Sequence, residues 1–285
     1  MPEPFVTRFA PSPTGRLHLG HAYSALLAHD AARAAGGRFI LRIEDIDQAR
    51  CRDAFVDGIY EDLAWLELRW EEPVRRQSRH MDDYKAALAT LDALGLLYPC
   101  FCTRKDIQAE IAHSPTAPHG PAGALYPGLC RALAPEIRAT RIAEGAPHAL
   151  RLDVGKAIAH LQARARWPRH WQDSRGQAIM AMPESLGDVV LARKDMPTSY
   201  HLAVTVDDAA QGITDIVRGA DLFHATHVHV LLQALLGLPT PRYRHHRLLV
   251  DAQGQRLAKR RGGISLHALR ADGMTPAQIR ARLGL

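Results

Sequence analysis

The start of the chain alternates between short apolar segments and one longer amphipathic stretch. Residues 5–10 are apolar enough for a buried strand, and a proline-rich turn breaks that segment at residues 11–15. The pattern predicts a helix over residues 18–35, followed by a strand over residues 38–43 in which alternate positions are apolar. A strand, a helix and a second strand in close succession are typical of a parallel α/β sheet.

Beyond this unit the apolar positions follow a helical period. Residues 55–63 and 84–94 carry apolar side chains at about every fourth position, which predicts two core helices. Residues 98–130 differ, because they contain three cysteines and an irregular run rich in Pro, Gly and His over residues 114–128. We interpret this region as a module inserted into the sheet domain.

The pattern predicts that the parallel sheet resumes after the insertion. Strand-like stretches cover residues 188–192, 202–206 and 213–217, and a helix follows over residues 228–236. The predicted fold class is α/β, with a Rossmann-type parallel sheet and an inserted α+β module. The predicted domains are residues 1–94 for the first half of the sheet domain, 95–185 for the insertion, 186–240 for the second half and 241–285 for a lysine loop and short helical C-terminal region.

Composition narrows the class of protein. The 285 residues, 47% of them apolar, are enough to bury a substantial core. A formal net charge of +6 suits a polyanionic partner such as RNA. No segment reaches the roughly 18 consecutive apolar residues of a membrane span, and the N-terminus lacks a signal-peptide pattern. We therefore expect a soluble cytoplasmic protein that does not associate with membranes.

The junction between the first predicted strand and helix carries the strongest candidate chemistry. It reads His18-Leu19-Gly20-His21, directly after the proline-rich turn. In an open α/β sheet, ligand phosphates bind beyond the carboxyl end of a strand, where the amides of the next helix face them. His18 and His21 would donate to phosphate oxygens, and Gly20 would let a purine ring approach the backbone. An isolated pair of histidines is as readily a surface feature, but the preceding strand and turn favour a nucleotide site.

The residues around this junction resemble a known family. The run Arg8-Phe9-Ala10-Pro11-Ser12-Pro13-Thr14-Gly15, followed by His-Leu-Gly-His, resembles the class I aminoacyl-tRNA synthetases, and within them the glutamyl branch. The resemblance implies the Rossmann-type catalytic domain of that family, which binds ATP with Mg²⁺ and activates glutamate as an acyl-adenylate. It makes His18 and His21 catalytic residues, and it makes His18, Gly20 and His21 ATP-binding residues.

A basic string near the end of the chain resembles the second signature of this family. In that signature a mobile lysine neutralises the pyrophosphate leaving group, and Arg256-Leu257-Ala258-Lys259-Arg260 matches it loosely. Taken alone, the string is typical of a solvated basic turn. The lead-in at residues 248–254 also resembles the family's approach to this loop, so we expect Lys259 to be catalytic and to bind ATP.

The same resemblance implies a glutamate pocket. The run Arg42-Ile43-Glu44-Asp45-Ile46-Asp47 resembles a family motif whose glutamate binds the α-ammonium group, here Glu44. Arginines match carboxylates best, and Arg8 and Arg218 would bind the two carboxylates of the substrate while Tyr200 adds a hydroxyl. The predicted glutamate-binding set is Arg8, Phe9, Ala10, Pro11, Ser12, Glu44, Tyr200 and Arg218. Alternatively, Arg8 and Glu44 form a structural ion pair, and Tyr200 is a core residue.

Three of the four cysteines predict a metal site. Cys100, Cys102 and Cys130 lie close together in the chain, and zinc prefers sulfur and nitrogen ligands in a tetrahedral shell. From the residues alone, the fourth ligand is Tyr126, a histidine at 113 or 119, or water. Resemblance to the insertion of a short paralogue in the glutamyl branch favours Tyr126. We expect one structural zinc ion per chain, held away from the chemistry.

The acceptor follows from resemblance only. About 22 residues follow Gly263, and the match is closest to a truncated paralogue of the glutamyl enzymes. This resemblance implies activation without tRNA, followed by transfer of glutamate to queuosine in the anticodon arm of tRNA(Asp). We expect a monomer. The alternatives are a catalytic fragment of a glutamyl-tRNA synthetase, a small-molecule adenylating ligase or nucleotidyltransferase of the same fold, and a non-enzymatic RNA-binding module. Candidates for holding RNA phosphates are Arg131, Arg138, Arg141, Arg164, Arg166 and Arg169.

Overall fold

A computed structural model of the chain describes residues 4–113, 119–120, 123–250 and 264–285. The strands of this described part are β1 Val6–Phe9, β2 Arg38–Ile43, β3 Glu71–Arg76, β4 Leu97–Cys100, β5 His119–Gly120, β6 Gly123–Ala124, β7 Ala149–Leu152, β8 His170–Gln172, β9 Ala178–Met180, β10 Val190–Ala192, β11 Asp215–Gly219 and β12 Arg242–His246. The helices are α1 Leu19–Ala34, α2 Asp53–Trp65, α3 Met81–Ala93, α4 Arg104–His113, α5 Pro135–Ala143, α6 Val154–Gln162, α7 Tyr200–Ala210, α8 Ala225–Leu236, α9 Leu266–Ala271 and α10 Pro276–Leu283.

The parallel sheet is built in two parts that meet at β1. Strand β2 lies between β1 and β3, and all three run parallel, while β11 pairs in parallel with β12. The amide of Thr214 donates to the carbonyl oxygen of Val6 at 3.0 Å, which places β11 beside β1. The order is therefore β3, β2, β1, β11, β12. The predicted α/β fold class with a parallel sheet is confirmed.

The inserted region has a sheet of its own. Strand β7 lies in the middle, with β4 antiparallel on one side and β10 antiparallel on the other. The strand predicted over residues 188–192 therefore joins the sheet of the insertion, and the prediction that it resumes the parallel sheet was wrong. A short apolar run indicates burial, but it does not specify which neighbouring strand will form the hydrogen bonds.

The strand predicted over residues 202–206 is also wrong, because these residues lie inside α7. Leu202, Ala203, Val204 and Thr205 are all buried. A helix that is covered on most sides shows a continuous apolar run, and over five residues such a run cannot be told from a buried strand. Helix α7 matters for the site, because its first residue is Tyr200 and its last turns carry Asp207 and Asp208.

The two largest apolar cores hold most of the helices against the sheets. One core joins α1, α2, α9 and α10 to the β1–β2 part of the parallel sheet, with Leu26, Leu41 and Leu63 fully buried. The other joins α3, α6, α7 and α8 to the sheet of the insertion, with Leu152 and Leu232 fully buried. Within the described ranges, no helix combines the length and the apolar character that a membrane crossing requires.

Candidate active site

Two adjoining cavities open where β1, β2 and β11 end. The first, called the strand-end cavity here, has a volume of about 400 Å³, and the second, called the module cavity, has a volume of about 500 Å³ and lies against the insertion. Both are lined by Ser12, Glu44 and Tyr200. All predicted substrate and nucleotide residues of the described part line the strand-end cavity, namely Arg8, Phe9, Ala10, Pro11, Ser12, His18, Gly20, His21, Glu44, Tyr200 and Arg218.

The two predicted catalytic histidines cap helix α1. His18 Nδ1 accepts from the amide of Gly20 at 3.1 Å, and His21 Nδ1 accepts from the amide of His18 at 3.2 Å. Because each Nδ1 accepts a backbone hydrogen bond, the proton of each neutral ring is on Nε2. The first turn of α1 contains no acidic residue. The helix N-terminus thus combines its own positive dipole with two imidazole donors, which suits an anion such as a phosphate.

Arg218 is a buried cation surrounded by neutral acceptors. It is 4% exposed, and its nitrogens contact His229 Nδ1 at 3.2 Å, His245 Nε2 at 3.3 Å and Thr226 Oγ1 at 2.7 Å. Its remaining partners are the hydroxyl of Tyr200 at 3.4 Å and the carbonyl oxygen of residue 222 at 3.2 Å. In the part of the chain that the structure describes, no carboxylate lies within ion-pair distance of Arg218. A buried charge without a counterion is costly, so this position favours an anionic ligand.

A second charged group faces the same cavity from the end of β2. Glu44 Oε1 accepts from Arg42 Nη2 at 3.1 Å, and Arg42 is fully buried. Burial raises the pKa of Glu44, although Arg42 and Arg8 oppose that effect. A carboxylate whose charge is only partly stabilised by its surroundings gains from a further cation. Glu44 is therefore suited to bind an ammonium group.

Arg8 and Glu44 do not form the structural ion pair that was the alternative to a glutamate pocket, because each pairs with another residue. Glu44 pairs with Arg42, whereas Arg8 Nε donates to Asp208 Oδ1 at 2.9 Å. Arg42 also reaches Asp208, at 2.7 Å from Nη1 to Oδ1. A buried network on α7 and β2 thus positions both Arg8 and Glu44 at the cavity wall.

The three clustered cysteines and Tyr126 form a compact donor set. Cys102 Sγ lies 3.4 Å from Cys130 Sγ, and the phenol oxygen of Tyr126 lies 3.4 Å from Cys100 Sγ and 3.6 Å from Cys102 Sγ. The three sulfurs lie within 4.8 Å of one another. With zinc–sulfur distances of about 2.3 Å, tetrahedral ligands stand roughly 3.8 Å apart, so this donor set fits zinc. The side chains of His113 and His119 are outside the described part.

The cysteine module adjoins the wall of the module cavity. Tyr126 and Leu125 line the module cavity, and the guanidinium of Arg151 lies 3.8 Å from the centre of the Tyr126 ring. The module cavity shares Glu44 and Tyr200 with the strand-end cavity. One face of the cysteine module therefore lies at the cavity wall through Tyr126, whereas Cys100, Cys102 and Cys130 line neither cavity, and a structural zinc site away from the chemistry stays a prediction.

Comparison with known proteins identifies the family. The family of tRNA synthetases class I (E and Q), catalytic domain, matches residues 4–285. The chain belongs to this family. It is 50% identical over 284 residues to the glutamyl-Q tRNA(Asp) synthetase of Rhodobacter capsulatus, covering 98% of this chain and 100% of that one. It is 44% identical over 280 residues to the protein of the same name in Nocardia farcinica, covering 97% and 82%.

Solved structures agree with this assignment to the class I synthetases. Glutamate-tRNA synthetase from Elizabethkingia anophelis matches with a TM-score of 0.72 and 26% identity, covering 95% of this chain and 54% of that one. A glutamate tRNA ligase from Elizabethkingia meningosepticum, in complex with its amino acid, matches with a TM-score of 0.71 and 27% identity. The chain spans about half the length of these two structures. The predicted family and enzyme class, a ligase of the class I aminoacyl-tRNA synthetases, are confirmed.

Several residues of this class I synthetase site were missed in the sequence. Asp208 lies just after the stretch that was predicted as a strand, and His229 lies in the helix predicted over residues 228–236, to which no site residue was assigned. The run His224, His227, His229 was a signal of a polar site, because buried histidines on an apolar helix need polar partners.

Lys259 lies outside the described residues, but the described residues on both sides of it do approach the site. Leu249 lines the strand-end cavity, and the amide of Leu266 donates to the carbonyl of Leu17 at 2.9 Å.

The arginines of the insertion differ in how far they are engaged within the chain. Arg131 forms an ion pair with Asp188 at 2.8 Å, and Arg138 donates to two backbone carbonyls. Arg141 lies over the Phe101 ring. Arg166 and Arg169 are exposed, and neither side chain has a hydrogen-bond or ion-pair partner among the described residues. These two are the better candidates for phosphate contacts.

Proposed function

We propose that this chain activates glutamate with ATP and then transfers it to queuosine in the anticodon arm of tRNA(Asp). The activation step is supported above all by Arg218. This buried cation has only neutral partners among the described residues, and it lines the same cavity as the carboxylate of Glu44. This arrangement suits an amino acid with an anionic side chain. Arg218 binds the side-chain carboxylate, Glu44 binds the α-ammonium group, and Tyr200 contributes its hydroxyl.

In the activation step, an oxygen of the glutamate α-carboxylate attacks the α-phosphorus of ATP. The bond from that phosphorus to pyrophosphate breaks, which gives glutamyl-adenylate and pyrophosphate. His18 and His21 donate to phosphate oxygens at the N-terminus of α1, where negative charge accumulates. ATP enters with Mg²⁺. Lys259 neutralises the leaving pyrophosphate; the described segments before and after its loop approach the same helix terminus.

The module cavity is where we place the acceptor. It adjoins the strand-end cavity through Glu44 and Tyr200, so a hydroxyl entering there reaches the activated carbonyl. The hydroxyl oxygen attacks that carbonyl carbon, AMP leaves, and the hydroxyl proton is released. The assignment of queuosine as the acceptor is supported by the name glutamyl-Q tRNA(Asp) synthetase of two relatives that are 50% and 44% identical over nearly the whole chain.

The donor set of Cys100, Cys102, Tyr126 and Cys130 would hold one zinc ion. Bound there, zinc supplies no chemistry to the reaction and ties β4 to the chain around residue 130. Tyr126 would ligate with its oxygen while its ring faces Arg151 and the module cavity. The metal site thus shapes one wall of the place where the acceptor enters.

The activation step is tested by pyrophosphate exchange into ATP with no RNA present and one amino acid at a time. We expect exchange with glutamate and much weaker exchange with glutamine or aspartate. A strict requirement for tRNA, or equal exchange with glutamine, would contradict the proposal.

The acceptor is tested with an isolated anticodon stem-loop of tRNA(Asp) that carries queuosine, beside the same stem-loop carrying guanosine. We expect glutamate transfer only to the first, with affinity that falls as salt rises because phosphate contacts release counterions. If both stem-loops are inert and the 3′ adenosine of a full-length tRNA accepts glutamate, the chain is instead a catalytic unit of the glutamyl-tRNA synthetase type.

A further inference from the structure

Two imidazole rings contact the Arg218 guanidinium, and a third ring contacts one of these two. Its Nη1 contacts His229 Nδ1 at 3.2 Å, and its Nε contacts His245 Nε2 at 3.3 Å. His229 Nε2 in turn lies 3.2 Å from His201 Nδ1. These three histidines come from α7, α8 and β12, which the fold brings together at the end of β11. None of them carries a role in the mechanism described above.

The hydrogen-bond chemistry determines the state of these rings. A guanidinium only donates, so each ring nitrogen that faces Arg218 presents a lone pair. His229 therefore has its proton on Nε2, and it donates that proton to Nδ1 of His201. His201 then has its own proton on Nε2. Both histidines, and His245 with them, are neutral.

The surroundings favour the same state. Burial, followed by the charge of Arg218, lowers the pKa of His201 to about 4, and it lowers the pKa of His229 well below its usual value. Burial and Arg218 also lower the pKa of His245, to about 3. At neutral pH these rings accept hydrogen bonds and carry no charge.

We propose that His229 and His245 are positioning residues that fix the plane of the Arg218 guanidinium without neutralising it, with His201 holding His229 in the required tautomer. This proposal rests on the proposed function, in which Arg218 binds the side-chain carboxylate of glutamate. A carboxylate in the place of His229 would hold the guanidinium equally well, but it would cancel the charge that distinguishes glutamate from glutamine. Neutral acceptors hold the guanidinium and leave its full charge for the substrate.

Three variants at one position separate these roles. His229→Leu removes the acceptor, His229→Gln keeps a neutral amide oxygen and an N–H donor, and His229→Glu keeps an acceptor but adds a negative charge. The matched control is His224→Leu, because His224 is an exposed residue just before the same helix and does not contact Arg218. The measurement is pyrophosphate exchange without RNA, with KM and kcat determined separately for glutamate, glutamine and ATP.

We expect His229→Leu to raise the KM for glutamate by about ten- to a hundredfold, the range for a lost hydrogen bond to a charged group, with the KM for ATP unchanged. His229→Gln should restore most of that loss. His229→Glu should lower the preference for glutamate over glutamine. KM values and the ratio between the two amino acids do not depend on the fraction of folded enzyme, so poor folding of a variant does not imitate these results.

A glutamate KM in His229→Leu equal to that of the wild type and of His224→Leu would overturn the proposal. An unchanged preference for glutamate in His229→Glu would overturn its electrostatic part. Absence of glutamate-dependent exchange in the wild type would be a different result, because it contradicts the proposed function itself.

Discussion

Arg8 and Asp208 form a buried ion pair although 200 residues separate them in the chain, with 2.9 Å between Arg8 Nε and Asp208 Oδ1. Asp208 also accepts from Arg42 at 2.7 Å. One carboxylate on α7 therefore holds two arginines, one of which lines the strand-end cavity and the other of which holds Glu44. Asp208 does not itself line the strand-end cavity, but it positions both Arg8 and, through Arg42, Glu44.

Asp208→Asn should be strongly destabilising. The substitution leaves Arg8 and Arg42 buried with less compensating charge, and breaking a buried pair in this way costs about 3–5 kcal/mol of unfolding free energy. It should also raise the KM for glutamate, because both Arg8 and Glu44 lose their orientation. Urea unfolding measures the first effect and pyrophosphate exchange the second. The control is Asp82→Asn, at a 93% exposed side chain, which should change stability far less. Equal stability of the two variants would rule out this role of Asp208.

The stability difference between wild type and Asp208→Asn should depend on pH. Burial alone raises the pKa of Asp208, but Arg8 and Arg42 outweigh burial and hold its pKa below the usual 3.8. The unfolded chain thus takes up this proton at a higher pH than the folded chain, so the stability due to Asp208 is present above that range and is lost as pH falls through the folded pKa. The difference should be full above about pH 5 and shrink on further acidification. Unfolding curves for both proteins from neutral pH downwards test this, and a constant difference would contradict it.

Arg218→Gln should remove most of the selectivity for glutamate. Truncating one partner of a buried charge pair costs about 2–5 kcal/mol, so kcat/KM for glutamate should fall by about 1.5 to 3.5 orders of magnitude. Exchange with glutamine should fall much less, because its amide needs no counterion. The control is Arg244→Gln, at an exposed position of the neighbouring strand β12. Equal losses of kcat/KM with glutamate and with glutamine would show that Arg218 does not distinguish the charged side chain from the neutral one.

Cys102→Ser should lower the zinc content below one ion per chain and reduce thermal stability, because the donor set loses one of its three sulfurs. Transfer to RNA should suffer more than pyrophosphate exchange, since Tyr126 lines the module cavity. Cys51→Ser is the control for zinc content and thermal stability, as Cys51 lies outside the cysteine cluster. Tyr126→Phe tests the fourth ligand, and an unchanged zinc affinity would mean that its ring only packs there. Full zinc content in a Cys100, Cys102 double serine variant would place the ligands elsewhere.

Lys259→Ala should slow adenylation without weakening glutamate binding. A preorganised charge that acts on the leaving group contributes about 2–4 kcal/mol in the transition state, so kcat should fall while the KM for glutamate stays the same. Lys85→Ala, at an exposed position on α3, provides the control. An unchanged kcat would show that Lys259 takes no part in adenylation.

Some features of this protein follow from short stretches of sequence. The strand, turn and helix around residues 6–34, the fold class and the synthetase family were all predicted from local patterns, and they are confirmed. The reason is that a motif such as His18-Leu19-Gly20-His21 carries its own geometry, because a helix terminus forms its capping bonds within four residues. The grouping of Cys100, Cys102 and Cys130 was likewise visible from their spacing. The roles assigned to the site residues remain predictions.

The tertiary structure decided the features that depend on which element packs against which. Periodicity indicates that a residue is buried but does not identify its neighbour. It therefore predicts a strand over residues 202–206 and places β10 in the parallel sheet, and both predictions are wrong. The same limit hid the pairing of Arg8 with Asp208, the imidazoles behind Arg218 and the approach of Tyr126 to the module cavity. Each of these contacts joins residues far apart in sequence, and a buried charge or donor selects its partner only when packing has excluded water from both.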